Sequence, residues 1–359
     1  MDERVDKIKV LIVDDSALIR TMLSSIFENS GVIEVVGTAA DPIIARAKIK
    51  KYNPDVITLD IEMPRMDGIT FLRNLMRLRP MPVLMISSLT AKGAQITLDA
   101  LEIGAIDFIE KPKSNIREEL LAYEEDIIEK ISMAASVDFN KQASKSMMDK
   151  TKKINTLASK DDVLKNSFPR TEKIIVIGSS TGGTEAVKTL VADLPNTTPA
   201  ILITQHLPIA FSESFTKHVN EVTAMDAVLA EDGMEIKTGC IYIAPGDRHL
   251  YLVRKGSRYY CKLNNGDLVN RHKPSVEVLF RSAAKHAGNN AIGVMLTGMG
   301  SDGATGMKVM RDNGAANIVQ DESSSVVWGM PRAAYEIGAA HYMEPLNKIA
   351  KRILTLANT

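Results

Sequence analysis

The sequence predicts an α/β protein built as two parallel-sheet domains with a polar linker between them. Three observations carry that expectation. Short, near-continuous apolar runs alternate with helical patterns from Ile8 to about Ala134, the alternation fails between about Ser136 and Thr171, and it resumes from Lys173 onward. At 359 residues the chain is longer than one hydrophobic core usually grows, so two domains are the natural division. The composition shifts place these at 1–134 and 171–359, with a flexible linker over 135–170.

In the first domain, IKVLIVDD reads as a buried strand followed by a helix from about Ala17. IEVVGTA is the second strand, followed by a helix near Ile43 to Lys51. DVITLD, PVLMISS and DFIEKP supply three more strands, which makes a five-stranded, doubly wound parallel sheet with both faces covered. The stretch VDFNKQASKSMMDKTKKINTLASKDDVLKNSFPRT is rich in Lys, Ser, Asp and Asn and poor in aromatics, the composition of a linker. Strand-like runs return at KIIVIG, AILITQH, CIYIAPG, HLYLV, YYCKL, AIGVMLTGM and NIVQDE. Helical stretches lie at Thr184–Ala192, Ile209–Asn220, Ser275–Ala287 and Thr305–Asn313. The mixture predicts a mostly parallel α/β domain with an antiparallel hairpin near Cys240–Leu263.

Bulk composition narrows the function. Lys plus Arg equals Asp plus Glu at 44 each, and no basic recognition helix is evident, so no nucleic-acid partner is expected. The two cysteines, Cys240 and Cys261, sit in strand-like runs and read as buried, inert thiols. No run approaches the ~20 apolar residues of a membrane span, and the N-terminus lacks the pattern of a secretory signal. A cytoplasmic monomer without direct membrane insertion is expected.

Asp14 and Asp15 close the first strand and Asp60 the third, while Ser87 ends the fourth and Lys111 follows the fifth. Ligands of open α/β sheets collect at these carboxyl ends. Clustered acids repel, and a hard divalent cation such as Mg²⁺ is the usual way to hold them together. A carboxylate so placed can attack a phosphoryl group, with Lys111 as a point charge and Ser87 as a hydroxyl beside it. A single Asp here would read better as a helix N-cap, a role open to Asp15 or Ser16; five residues at one edge would not. VDDS, LDIEMPRMDG, ISS and EKP make this third of the chain closely resemble the response-regulator receiver family. The resemblance implies a flavodoxin-like fold, phosphorylation of Asp60 by a partner histidine kinase, and Mg²⁺ held by Asp14, Asp15 and Asp60.

KIIVIGSSTGGTEAV reads as a strand, a Gly-rich turn and a helix, and Gly178 to Gly182 fits G-x-S-x-G with Ser180 as a candidate nucleophile. A phosphate-binding loop fits the same description about as well, although the Walker Lys and the G-x-G-x-x-G spacing are missing. A serine nucleophile needs a histidine base and an orienting carboxylate. Of the six histidines, His206 alone directly follows a parallel strand; His218 and His286 fall in helices, His249 and His272 near the hairpin, and His341 late in the chain. Asp302 lies just after another buried strand in a Gly-rich turn, though alone it would read as an N-cap. The order Ser, His, Asp is not that of α/β-hydrolases, so another sheet is implied. A metal hydrolase built on His206, His249, His272 and Asp302 is disfavoured, because no two histidines have the short helical spacing of common zinc motifs.

GSSTGGTEA, ITQHLP, YIAPGDRHL, NRHKPSVEVLF, GVMLTGMGSDGA and VVWGMPRAA make the second domain resemble the catalytic domain of the chemotaxis protein-glutamate methylesterase family. The resemblance implies a serine esterase with Ser180, His206 and Asp302 as its triad and no cofactor for ester hydrolysis. It maps an oxyanion-binding backbone amide to Met299, with Thr181 as a second candidate. It also implies methyl-accepting chemotaxis receptors as substrate, glutamate γ-methyl esters as the bond cleaved, glutamine deamidation as a second activity, and chemotactic adaptation as the outcome. Two domains and a linker suggest that the unphosphorylated first domain occludes the Ser180 edge until Asp60 is phosphorylated.

Overall fold

A computed structural model describes residues 7–63, 67–87, 90–111, 124–137 and 173–358, so the expected linker lies from residue 138 onward outside the described residues. The chain divides into two compact units, one within residues 1–165 and the other within 166–359. Among the described residues no helix is long and apolar enough to cross a membrane.

In the first unit, strands β1 (Ile8–Val13), β2 (Ile33–Ala39), β3 (Val56–Asp60), β4 (Val83–Ser87) and β5 (Asp107–Glu110) form a parallel sheet of order β2-β1-β3-β4-β5. Among the described residues five helices accompany it: α1 (Ala17–Asn29), α2 (Pro42–Tyr52), α3 (Gly68–Leu78), α4 (Ala91–Ile103) and α5 (Glu124–Ser136). β3 and β4 are buried along their whole length, which is why VITLD and VLMIS are apolar without alternation. Register sets the functional edge. Val13 pairs with Leu59, Asp60 with Ile86 and Ser87 with Glu110, so Asp14, Asp60, Ser87 and Lys111 come level with one another. The strand order reverses between β1 and β3, where ligands of such sheets bind. Ser16, not Asp15, caps α1: its hydroxyl accepts the Ile19 amide at 3.4 Å, and Asp15 is left exposed.

The second unit contains β6 (Ile174–Ser179), β7 (Ile201–Gln205), β8 (Asp226–Leu229), β9 (Cys240–Ile243), β12 (Ala291–Met295), β13 (Ala316–Gln320) and β14 (Tyr342–Glu344) in one parallel sheet of order β14-β13-β12-β6-β7-β9-β8. β10 (His249–Lys255) and β11 (Arg258–Asn264) form a separate antiparallel hairpin. The helices are α6 (Gly183–Ala192), α7 (Ile209–Val222), α8 (Val276–His286), α9 (Ala304–Asp312), α10 (Met330–Glu336) and α11 (Leu346–Ala357).

The hairpin starts at His249 rather than near Cys240. CIYI is apolar on both faces and joins the main sheet between β7 and β8, whereas β10 and β11 alternate and turn Leu250, Leu252 and Cys261 into a core shared with Leu279 and Ala283 of α8. Burial there pushes the Cys261 thiol up to about 12, consistent with an inert side chain.

Gly178, at the end of β6, lies under α8. A Cβ there would sit 2.2 Å from Val276 Cγ1 and 3.2 Å from Phe280 Cζ. The first glycine of G-x-S-x-G therefore serves helix-to-strand packing, while Gly182, at φ 74°, supplies the left-handed turn that a side chain would resist. Gly178→Ala is expected to lower the unfolding free energy of this unit by about 1–3 kcal/mol through overpacking, read as a lower urea midpoint with unchanged slope.

Candidate active site and carboxylate cluster

Ser180 leaves β6 in a turn fixed on three sides. Its N–H donates to Thr297 O at 3.1 Å, and its carbonyl accepts from Gly183 N at 2.7 Å and Gln205 Nε2 at 2.9 Å. Its hydroxyl makes no hydrogen bond among the described residues. His206 follows β7, whose register against β6 brings the His206 N–H to Ser179 O at 3.1 Å. The imidazole Nε2 lies 2.9 Å from Asp302 Oδ2, with side chains 8% and 1% exposed. The other ring nitrogen, Nδ1, is buried without a hydrogen-bond partner among the described residues. Asp302 therefore engages Nε2, not Nδ1, the opposite ring edge from the serine-protease arrangement.

Asp302 does not cap the helix that follows it. Gly303 occupies the N-cap of α9 without a side-chain bond, while the Asp302 carboxylate points at the start of α8. Oδ2 accepts from Val276 N at 2.7 Å, and Oδ1 accepts from Ser275 Oγ and Asn270 Nδ2 at 2.8 Å each and Glu277 N at 3.3 Å. Burial would raise this carboxyl, but the bonds from His206, Asn270 and Ser275 outweigh it and hold it at about 2. The amides of a helix N-terminus favour negative charge in the same way.

Thr297 Oγ1 lies 3.0 Å from Thr181 O and 3.1 Å from Val327 O, either of which can accept its one proton, which ties the Ser180 turn to the start of the Gly298-Met299-Gly300 turn. The Met299 N–H donates no hydrogen bond among the described residues, and Thr181 is buried beside Ser180. The other histidines lie apart from this pair or engage other groups. His218 is buried in α7, while His286 and His341 accept backbone amides from Arg254 and Asn317. His249 uses both nitrogens, Nε2 to Asp267 O at 2.8 Å and Nδ1 from Ser275 N at 3.2 Å. His272 meets His206 face to face.

In the first unit, Lys111 Nζ bridges Asp60 Oδ2 at 2.8 Å and Asp14 Oδ2 at 3.1 Å. Asp14, Asp15 and Asp60 each offer an oxygen within 4.8 Å of the others, which suits a hard cation. Burial and the neighbouring Asp14 push the Asp60 carboxyl up to about 6, against the pull of Lys111. Ser87 is buried at the same edge and accepts from Thr97 Oγ1 at 2.5 Å.

Residues 175–353 match the family model described as CheB methylesterase, and residues 10–122 match that of the response regulator receiver domain. A protein of Hydrogenovibrio crunogenus named protein-glutamate methylesterase/protein-glutamine glutaminase is 48% identical over 373 aligned positions, covering 98% of this chain and 99% of the relative. One of Photorhabdus laumondii with the same name is 53% identical over 350, covering 98% and 97%. The chain belongs to the protein-glutamate methylesterase family. It is a hydrolase with a receiver domain. The crystal structure of the Thermotoga maritima CheB methylesterase catalytic domain superposes with a TM-score of 0.50 at 37% identity, covering 51% of this chain and 98% of that one.

Within this methylesterase fold, the donors around Asp302 escaped the sequence reading. Asn270 lies in an irregular segment with no hydropathy period, and Ser275, read as the first residue of a helix, is instead the N-cap of α8 and gives its hydroxyl to Asp302. The low Asp302 pKa has a measurable consequence. Its folded value of about 2 lies below the ordinary ~3.9, so its stabilising contribution is complete above about pH 4 and is lost as pH falls through about 2. The stability gap between wild type and Asp302→Asn should therefore narrow by about 2 kcal/mol from pH 4 to 2, measured by urea unfolding.

Proposed function

We propose that this chain is a phosphorylation-activated esterase that removes methyl groups from glutamate γ-methyl esters of methyl-accepting chemotaxis receptors, and deamidates glutamines there, giving chemotactic adaptation. The observation that carries this reading is the 2.9 Å bond between His206 Nε2 and Asp302 Oδ2 at the strand ends flanking the one that leads into Ser180. The domains are assigned as a receiver over 1–134, a linker over 135–170 and a catalytic domain over 171–359.

Ser180 Oγ attacks the γ-carbonyl carbon as His206 Nδ1 takes the hydroxyl proton. Asp302 keeps the second ring proton on Nε2 and stabilises the imidazolium. The oxyanion is received by the Met299 amide, with Thr181 as a second donor. Collapse of the intermediate breaks the carbon–oxygen bond, and the His206 proton goes to methanol. Water, deprotonated by His206, then cleaves the acyl serine to the free glutamate, and the His206 proton returns to Ser180 Oγ; with a glutamine substrate the first bond broken is carbon–nitrogen and the first leaving group is ammonia.

In the receiver, Asp60 accepts a phosphoryl group from a histidine kinase, with Lys111 and Ser87 as switch residues. Asp14, Asp15 and Asp60 would hold Mg²⁺, which would neutralise charge on the transferring phosphoryl group. The test is methanol release from methylated receptor with and without a small phosphodonor. Wild type is expected to be stimulated, and Asp60→Asn is expected to keep its basal rate, show no stimulation and form no hydroxylamine-labile phosphate. Equal stimulation of both proteins would exclude Asp60 as the control point.

A further inference from the structure

One short turn contributes two side chains to the His206–Asp302 pair. Val269 and His272 exchange backbone hydrogen bonds at 3.1 and 2.9 Å, closing a four-residue turn around Asn270 and Arg271. Both central residues are left-handed, with φ of 51° and 67°. This turn type demands positive φ at both positions and is normally supplied with glycine; Asn tolerates it, and Arg does so at a cost in strain. Strain of this kind persists only where the surroundings hold it.

The surroundings do hold it. Before the turn, His249 Nε2 bonds Asp267 O at 2.8 Å; after it, His249 Nδ1 accepts Ser275 N at 3.2 Å. Lys273 Nζ reaches back to Asn265 Oδ1 at 2.9 Å and Gly266 O at 3.1 Å. From this braced segment Asn270 Nδ2 donates to Asp302 Oδ1 at 2.8 Å, and the His272 ring stacks on His206 with centroids 3.8 Å apart and planes 16° apart.

The stack adds a restraint that the carboxylate cannot. A hydrogen bond to Nε2 fixes one ring atom, but the histidine χ2 torsion is broad, so the ring can still rock about that bond and swing Nδ1 away from a neighbouring hydroxyl. A flat ring lying parallel at van der Waals distance opposes that rocking. We infer that the Val269–His272 turn positions the general base: His272 sets the plane of the His206 ring, and Asn270 sets the orientation of Asp302. This rests on the reading of His206 as the base that serves Ser180. His272 and Asn270 act through the pair and are positioning residues.

The experiment measures kcat and KM for methanol release by the full chain with phosphodonor, in wild type, Ser180→Ala, His272→Ala, His272→Phe and Asn270→Gly. Glycine at 270 keeps the left-handed backbone while removing the donor. His272→Ala is expected to lower kcat about 10- to 100-fold with KM changed less than about twofold, the signature of misplaced chemistry rather than lost binding. His272→Phe keeps a flat aromatic face and is expected to recover most of that loss. Asn270→Gly is expected to lower kcat without raising KM.

An unchanged kcat in His272→Ala overturns the inference, as does a His272→Phe protein as slow as the alanine variant. A raised KM with kcat retained would make His272 a substrate contact and also overturn it. If His272→Ala shows no cooperative urea unfolding, the phenylalanine and Asn270→Gly arms decide. Full activity in Ser180→Ala would defeat the serine reading itself, whereas an inactive Ser180→Ala beside a fully active His272→Ala defeats only the role given to the turn.

Discussion

Ser180→Ala is expected to reduce kcat for methanol release by about 10⁴-fold or more, because the acyl-enzyme route has no substitute nucleophile. The residual rate should come from oxyanion donors and substrate binding, which in serine hydrolases survive loss of the nucleophile. The fold should be indifferent. The bonds that hold the turn use the Ser180 amide and carbonyl, and its hydroxyl makes none among the described residues, so stability should change by no more than about 0.5 kcal/mol. Phosphorylation of Asp60 should proceed as in wild type, because the change lies in the other unit. Methanol release, urea unfolding and hydroxylamine-labile phosphate on one preparation read these three expectations separately. A variant that keeps more than about a tenth of the wild-type rate would remove Ser180 from the nucleophile's role.

The features legible in the sequence share a physical cause. Strands buried on both faces are written as unbroken apolar runs, and in parallel sheets the next residue lies at the functional edge, so VITLD pointed to Asp60, ILITQ to His206 and AIGVM to the loop bearing Asp302. Register then did the rest. What escaped has no period to detect. The edge strands Asp226–Leu229 and Tyr342–Glu344 are too short to show alternation, and CIYI looked like part of the hairpin that follows it. The Asp302 surroundings are tertiary. Its partners come from residues 270–277, which are 25 or more positions away in sequence, and local reasoning pointed to the wrong helix for it to cap.

The two units use burial in opposite ways. In the second, the bonds from His206, Asn270 and Ser275 outweigh the desolvation of Asp302 and keep it ionised far below neutrality, so this partner of His206 stays charged near pH 7. In the first, Asp14 and Lys111 leave Asp60 incompletely compensated, and its carboxyl lies at about 6. A fixed charge suits a group that orients a base through each cycle. On the proposed function, an undercompensated one suits a group whose charge is to be changed by an incoming cation or phosphoryl group.

Asp302→Asn is expected to lower kcat about 10³- to 10⁴-fold while leaving the strands in place. Asparagine has one acceptor oxygen where Asp302 uses two. If its NH₂ takes the place of Oδ2, it meets the Val276 amide and His206 Nε2; if it takes the place of Oδ1, it meets the Glu277 amide, the Asn270 amide and the Ser275 hydroxyl. Either way at least one buried backbone donor loses its partner, at about 1–3 kcal/mol each. The first arrangement also makes Nε2 an acceptor and moves the ring proton to Nδ1, the nitrogen that must be unprotonated to take the Ser180 proton. Misdirected tautomer and lost charge act on kcat, so KM should change little, and raising the pH should not restore the rate, since neither effect titrates. A rate within about tenfold of wild type would show that His206 works without this carboxylate.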